Sequence, residues 1–245
     1  EGEVETPTVE WGGVKYEIVT LKDGRTWMAE NLRYVPEGKT ISSDPKDGSG
    51  VWYPCNLSKA ADPSLVESNG LLYSYPVMLG MTGDMTGDNF DQYEGARGIC
   101  PEGWHIPTSF THGVFGNYYA DMEYIDYIFG FDWWHMMASN VAENKDSRDW
   151  AAAQWWKSGD NTPDNLSGLS LYAVPALGQT TGFGKTNTPK FNSTELEGTV
   201  LFWVDILSKG IPMLPYLDGD NDMINNNVSA AAVGACYFPI RCVRD

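Results

Sequence analysis

Ala235-Cys-Tyr-Phe-Pro-Ile-Arg-Cys-Val243 reads as a strand close to the end of the chain. Alternation sets Cys236, Phe238, Ile240 and Cys242 on one face and Tyr237, Pro239, Arg241 and Val243 on the other. On such a strand the two sulfurs would stand roughly 20 Å apart, whereas a disulfide needs Cα atoms within about 7 Å. The two cysteines of the tail therefore cannot bond each other. Each must reach Cys55 or Cys100, the remaining two of the four cysteines. Disulfides belong to an oxidising compartment, so the expectation is an exported protein. The chain has no C-x-x-C, and no Cys lies within four residues of a His, so the spacing is not that of a metal site.

Outward from the tail, the pattern is of strands, long loops and two helices. Val14 to Thr20 alternates apolar and polar residues, as a strand does. Lys22-Asp-Gly-Arg25 is a hairpin turn, because Asp-Gly supplies the positive φ angles such turns need. Thr26-Trp-Met-Ala29 is the return strand, and residues 36–50 form a polar loop. Gly70 to Leu79 reads as a strand followed by a short helical turn, and Gly80 to Gly98 as a long loop. Cys100 to Pro107 is stiffened by two prolines. Helices are predicted over Asp121 to Phe129, where Met122, Ile125 and Phe129 share a face, and over Arg148 to Lys157. Leu169 to Leu177, Thr199 to Leu207, Met213 to Leu217 and Cys236 to Val243 are the later strands. This order predicts an α+β fold with the helices segregated from an antiparallel sheet. Residues 1–10 are expected to be a flexible tether, and residues 11–245 a single domain.

Composition narrows the partners. The formal net charge is −17 and the sequence pI about 4.4, so nucleic acid and anionic membranes would be repelled. No run of 18 apolar residues is long enough to span a membrane. The sequence opens at Glu1 without Met, which suggests that a targeting signal has been removed.

Five blocks in order then resemble one bacterial family, the Fibrobacter succinogenes major paralogous domain. They are Leu21-Lys-Asp-Gly-Arg-Thr-Trp-Met-Ala-Glu-Asn-Leu32, Gly70-Leu-Leu-Tyr-Ser-Tyr75, Ala96-Arg-Gly-Ile-Cys-Pro-Glu-Gly-Trp-His-Ile-Pro107, Leu166-Ser-Gly-Leu-Ser170 with Ala173-Val-Pro-Ala-Leu-Gly178, and Ile240-Arg-Cys-Val-Arg244. The resemblance implies an exported surface protein of Bacteroidetes-type bacteria, often a lipoprotein anchored through its removed N-terminal segment. It implies a C-type-lectin-like fold, in which two helices flank twisted antiparallel sheets with long loop regions and the N- and C-terminal strands pair. It also implies a Cys100–Cys242 bridge, which leaves Cys55 with Cys236.

The chain departs from the pattern it resembles, and from that of sugar-binding lectins, where a site would matter. The helix that usually follows the "W-H-x-P" segment is displaced by Ser109 to Ala120, and the sugar-binding Glu-Pro-Asn or Gln-Pro-Asp motif of calcium-dependent lectins is absent. Candidate ligand-binding residues are the adjacent rings Trp133 and Trp134, and Trp155 and Trp156, since an exposed Trp beside carboxylates can stack on a sugar while acids hold its hydroxyls. Asp218, Asp220 and Asp222 alternate in a tight acidic stretch of the kind calcium uses, although Met223 stands where an EF-hand loop needs glycine. No other cofactor is indicated. His105, His112 and His135 form no H-E-x-x-H, and there is no G-x-S-x-G elbow, so no catalytic residues are assigned. The expectation is a non-catalytic surface binding protein for adhesion or glycan recognition. Alternatives are a structural or protein–protein subunit of a cell-envelope complex, and a glycoside hydrolase using two carboxylates. The partner is expected to be a glycan or a surface protein.

Overall fold

The computed structural model describes residues 6–21, 24–56, 60–81, 96–107 and 237–245, together with the backbone of Cys236 and of short strands between residues 177 and 225. In chain order the strands are β1 (Thr8–Trp11), β2 (Val14–Thr20), β3 (Thr26–Met28), β4 (Val51–Trp52), β5 (Leu72–Ser74), β6 (Trp104–His105), β7 (Leu177–Gly178), β8 (Gly182–Phe183), β9 (Val200–Leu201), β10 (Leu207–Ser208), β11 (Ile211–Pro212), β12 (Tyr216–Asp218), β13 (Met223–Asn225), β14 (Cys236–Phe238) and β15 (Val243–Arg244). Two short helices, α1 (Val66–Asn69) and α2 (Tyr75–Met78), flank β5. The described architecture is therefore antiparallel sheet with little helix. The two predicted helices over 121–129 and 148–157 lie outside the described residues.

Two five-stranded sheets dominate, with orders β1-β2-β3-β15-β6 and β4-β5-β14-β7-β8. The first grows from the predicted hairpin. Val14, Tyr16 and Ile18 turn toward the core while Lys15 and Glu17 face water, the period-2 burial that fixes a strand's register. Gly24 takes φ +87° at the Asp-Gly turn, Leu21 N donates to Arg25 O at 2.8 Å, and β3 returns with Val19 opposite Trp27. A strand the sequence did not signal, β1, pairs with β2 with Trp11 opposite Val14. Thr8, Val9 and Glu10, assigned above to the tether, therefore belong to the sheet.

The predicted strand Cys236 to Val243 is not one strand. Its first part, β14, lies between β5 and β7 in the second sheet, and its last part, β15, lies between β3 and β6 in the first. Residues 239–242 cross from one sheet to the other. Pro239 has no N–H to give a ladder, which is where pairing stops. The crossing is tied to the hairpin unit instead, as Leu32 N donates to Ile240 O at 2.8 Å and Met28 N to Cys242 O at 3.0 Å. The main core lies beneath this strap. Tyr16, Met28, Leu32, Tyr73, Phe238, Ile240 and Cys242, each wholly buried, belong to one cluster. Of the other predicted strands, Leu177 lies in β7, Val200 and Leu201 form β9, and Tyr216 and Leu217 belong to β12.

Candidate functional site

The strap brings distant parts of the sequence into one buried knot. Cys100 and Cys242 form a disulfide with Cα atoms 5.9 Å apart, across 142 residues of sequence. The tail strand is thereby locked, as expected, and both residues are fully buried. Arg241, 1% exposed, donates through Nε to Asn31 Oδ1 at 2.8 Å. Asn31 in turn donates through Nδ2 to Asn69 O at 2.9 Å. A buried guanidinium needs acceptors, because burying a charge without hydrogen bonds costs far more than folding can spare. Asn31 supplies one acceptor, and its neighbours Glu30 and Leu32 tie other segments to the same turn of chain. Glu30 accepts from Glu17 N at 2.6 Å and pairs with Arg33 at 2.6 Å, while Leu32 O accepts from Leu71 N at 3.0 Å.

Tyr73 donates its hydroxyl proton to the carbonyls of Tyr34 and Leu32, at 2.8 and 3.1 Å. Burial pushes its pKa well above the ordinary tyrosine value. The Tyr16 hydroxyl accepts from Arg33 N at 3.0 Å, and burial raises its pKa too, against the pull of the Arg33 bond and charge. Both hydroxyls thereby tie their strands to the loop that leaves the first hairpin.

At the surface, the half-buried rings of Trp11 and Tyr34 meet with centroids 4.8 Å apart and planes tilted by 41°. The guanidinium of exposed Arg97 lies 5.3 Å from the Trp11 ring centre, and its Nε donates to Cys100 O at 2.9 Å. Trp11 Nε1 donates to Ile99 O at 2.9 Å, so both side chains are fixed to the segment that carries the disulfide. Sequence reading missed this group because it joins three separate stretches. Its one signal was an Arg immediately before Gly98 in an otherwise acidic chain. Elsewhere His105 Nδ1 and Asp245 Oδ1 stand 2.7 Å apart.

The sequence-predicted ligand residues are not brought together by anything described. Trp133, Trp134, Trp155 and Trp156 lie outside the described residues, as do Asp220 and Asp222. Only the backbone of Asp218 is described, in β12 opposite Met223. Among the described residues no group of three or more His, Cys, Asp or Glu could hold a metal ion. Cys55 is buried beside Trp52 and Leu72, and the Cys236 backbone lies opposite Gly178. The Cys236 side chain, and with it the Cys55–Cys236 pairing, lies outside the described residues. No helix among the described residues is long and apolar enough to cross a membrane.

The family model of the Fibrobacter succinogenes major domain matches residues 23–244, nearly the whole chain. The chain belongs to this family. No curated protein and no solved structure matches it. Within this Fibrobacter succinogenes major domain, the described signature blocks turn out to be framework. Trp27, Asn31, Trp104, Arg241 and Cys242 are all buried, and the blocks that carry them meet in the first sheet and the strap. Gly98 of the third block takes φ +53°, and a Cβ there would stand 2.2 Å from the Met78 carbonyl oxygen. Only glycine lets this turn close against α2, where Ile99 N donates to Met78 O at 3.0 Å.

Proposed function

We propose that this protein is a non-catalytic, exported surface protein that captures glycans. The observation that carries the reading is the commitment of the described signature residues to the buried frame, above all the Cys100–Cys242 bridge and the Asn31–Arg241 bond. A scaffold tied this firmly serves to present a connection, and ligand sites concentrate on connections held by rigid elements. The stretch of sequence from Pro107 to Cys236 includes strands β7 to β13. It contains Trp133, Trp134, Trp150, Trp155, Trp156 and Trp203, six of the ten tryptophans of the chain. Of the other four, Trp27, Trp52 and Trp104 are buried and Trp11 is half-buried. Indole rings beside Asp and Asn suit sugar rings, which offer an apolar C–H face and a rim of hydroxyls. Asp218, Asp220 and Asp222 would supply the oxygen ligands if calcium takes part.

The finer fold reading is C-type-lectin-like, supported by the pairing of β3 near the N-terminus with β15 at the C-terminus. The disulfide supports export, and display at the cell surface through a lipid anchor goes with the family resemblance. The test is a glycan array followed by calorimetry, with and without calcium, on the wild-type chain and on Trp155→Ala and Trp156→Ala. Binding that either substitution weakens by about tenfold or more is expected, the order of loss for one stacked ring at a binding hot spot. Absence of any glycan binding under both conditions sinks the reading.

A further inference from the structure

Arg97 is a cation held in place through its Nε, and no described residue uses its terminal nitrogens. Its Nε is bonded to Cys100 O, and its guanidinium lies over the Trp11 ring. Among the described residues no hydrogen bond or ion pair reaches either terminal nitrogen, although the chain carries 33 acidic residues against 16 basic ones. Arg33 makes the contrast. Its Nη1 reaches Glu30 Oε1 and Glu67 O, at 2.6 and 2.7 Å, its Nη2 reaches Lys15 O at 3.0 Å, and it lies over the Tyr16 ring. One arginine is consumed by the frame, and the other is oriented by it.

A guanidinium whose Nε is occupied still offers its end-on pair of Nη groups, a fork that matches the two oxygens of a carboxylate. The Cys100 carbonyl that fixes Arg97 belongs to a disulfide-bonded residue, so little side-chain freedom is left to lose on binding. Beside the fork stand Trp11 and Tyr34, both half-buried and tilted against each other, which offer apolar surface to the body of a ligand. An inorganic anion would use the fork and leave the rings idle. An acidic sugar uses both, by stacking its C–H face on aromatic carbon and giving its carboxylate to the arginine.

We infer that Arg97, Trp11 and Tyr34 form a recognition point for a uronic-acid unit of a glycan. The net charge of the chain does not prevent this, because repulsion from remote carboxylates is screened beyond about 8 Å at physiological salt. The inference deepens the glycan reading, but places a specificity contact on the frame, away from the tryptophans of residues 133–156.

The test titrates the whole chain, bridge intact, with digalacturonate, its methyl ester, neutral digalactose and acetate. Calorimetry gives affinities, and the indole N–H resonance of Trp11 reports the place. Digalacturonate is expected to move that resonance and to bind at least about tenfold more tightly than the ester, the digalactose or acetate, the worth of a charge-assisted pair. Arg97→Ala should remove that preference. Arg97→Lys, which keeps a cation over the indole but not the fork, should keep only part of it and is the variant to read if Arg97→Ala lowers the melting temperature. Equal affinity for digalacturonate and its ester, equal affinity for acetate, or a preference untouched by both Arg97 variants would overturn the inference. Failure here with neutral glycans still bound through Trp155 or Trp156 would leave the broader reading standing. Loss of the latter with the uronate preference intact would do the reverse.

Discussion

Arg241 and Asn31, 210 residues apart in sequence, share a buried hydrogen bond of 2.8 Å between Nε and Oδ1. The bond joins the strap that crosses between the sheets to the loop that leaves the first hairpin. Because Asn31 also donates to Asn69 O, it links the strap to helix α1 as well. One side chain thus holds three segments, and the charged member of the group has no access to water with which to replace a lost partner.

Asn31→Ala should therefore be among the most damaging single substitutions in the frame. Truncation leaves a buried cation short of an acceptor, at a cost of about 3–5 kcal/mol. For a chain of this size that corresponds to a fall in melting temperature of roughly 6–20 °C. Asn31→Asp keeps the acceptor facing Arg241 while losing the bond to Asn69, so its loss should be smaller. Thermal melts of the three proteins check the order. An alanine variant as stable as wild type would mean that Arg241 is satisfied without Asn31.

The disulfide makes a second prediction. It closes a loop spanning 142 residues, and removing a native bridge costs about 2–5 kcal/mol. Cys242→Ser should lower the melting temperature, and added reductant should lower the wild type toward it without affecting the variant further through this bond. Peptide mapping of the non-reduced protein should recover Cys100 linked to Cys242. A Cys55–Cys100 link in that map would contradict the strap itself.

Alkaline pH should unfold the protein through Tyr73 and Tyr16. Both folded pKa values are raised, chiefly by burial. In the unfolded chain a tyrosine ionises near pH 10. The stabilisation from keeping these phenols neutral is thus complete below that pH, and it falls away as the pH rises through and past it. Tyr73→Phe should cost about 1 kcal/mol at neutral pH, from the lost bonds to the Tyr34 and Leu32 carbonyls, and should make stability fall less steeply above pH 10. Denaturant melts across the alkaline range measure both effects. A slope unchanged in the variant would show that other groups drive the transition.

How legible this was varied with how local the physics is. The first hairpin could be read because period-2 burial and an Asp-Gly turn act over a few residues, and Gly70 to Leu79 did split into a strand and a helical turn as β5 and α2. The tail misled because alternation cannot tell one strand from two strands in different sheets. Phe238, Ile240 and Cys242 do share the core cluster, yet the ladder breaks at Pro239 between them. Strand β1 escaped notice because Thr8-Val-Glu-Trp11 is short and follows a charged stretch, and its partner supplies the reason for it to be extended. Alternation put Arg241 on the strand face opposite the cysteines and gave no hint of its burial, because its surroundings are set by Asn31, far away in sequence. The aromatic–arginine group at Trp11, Tyr34 and Arg97 has the same character, being assembled by topology out of three stretches that carry no common motif.

Two glycines separate backbone strain from close approach. Gly98 and Gly103 have φ of +53° and +74°, both in the left-handed region, so alanine at either meets the penalty of about 1–2 kcal/mol for that conformation. Around Gly103 no described atom lies within 4 Å of an added Cβ. At Gly98 the same atom would press on the Met78 carbonyl oxygen, backbone that cannot swing aside without breaking the bond from Ile99 N. Gly98→Ala should therefore cost more than Gly103→Ala, by about 1–3 kcal/mol of overpacking. The excess should come with disturbance of the neighbouring Cys100, visible as faster reduction of its bridge by a fixed concentration of thiol. Equal stability losses and equal reduction rates would show that the turn at Gly98 can open to admit a methyl group, and that glycine serves there only for its φ angle.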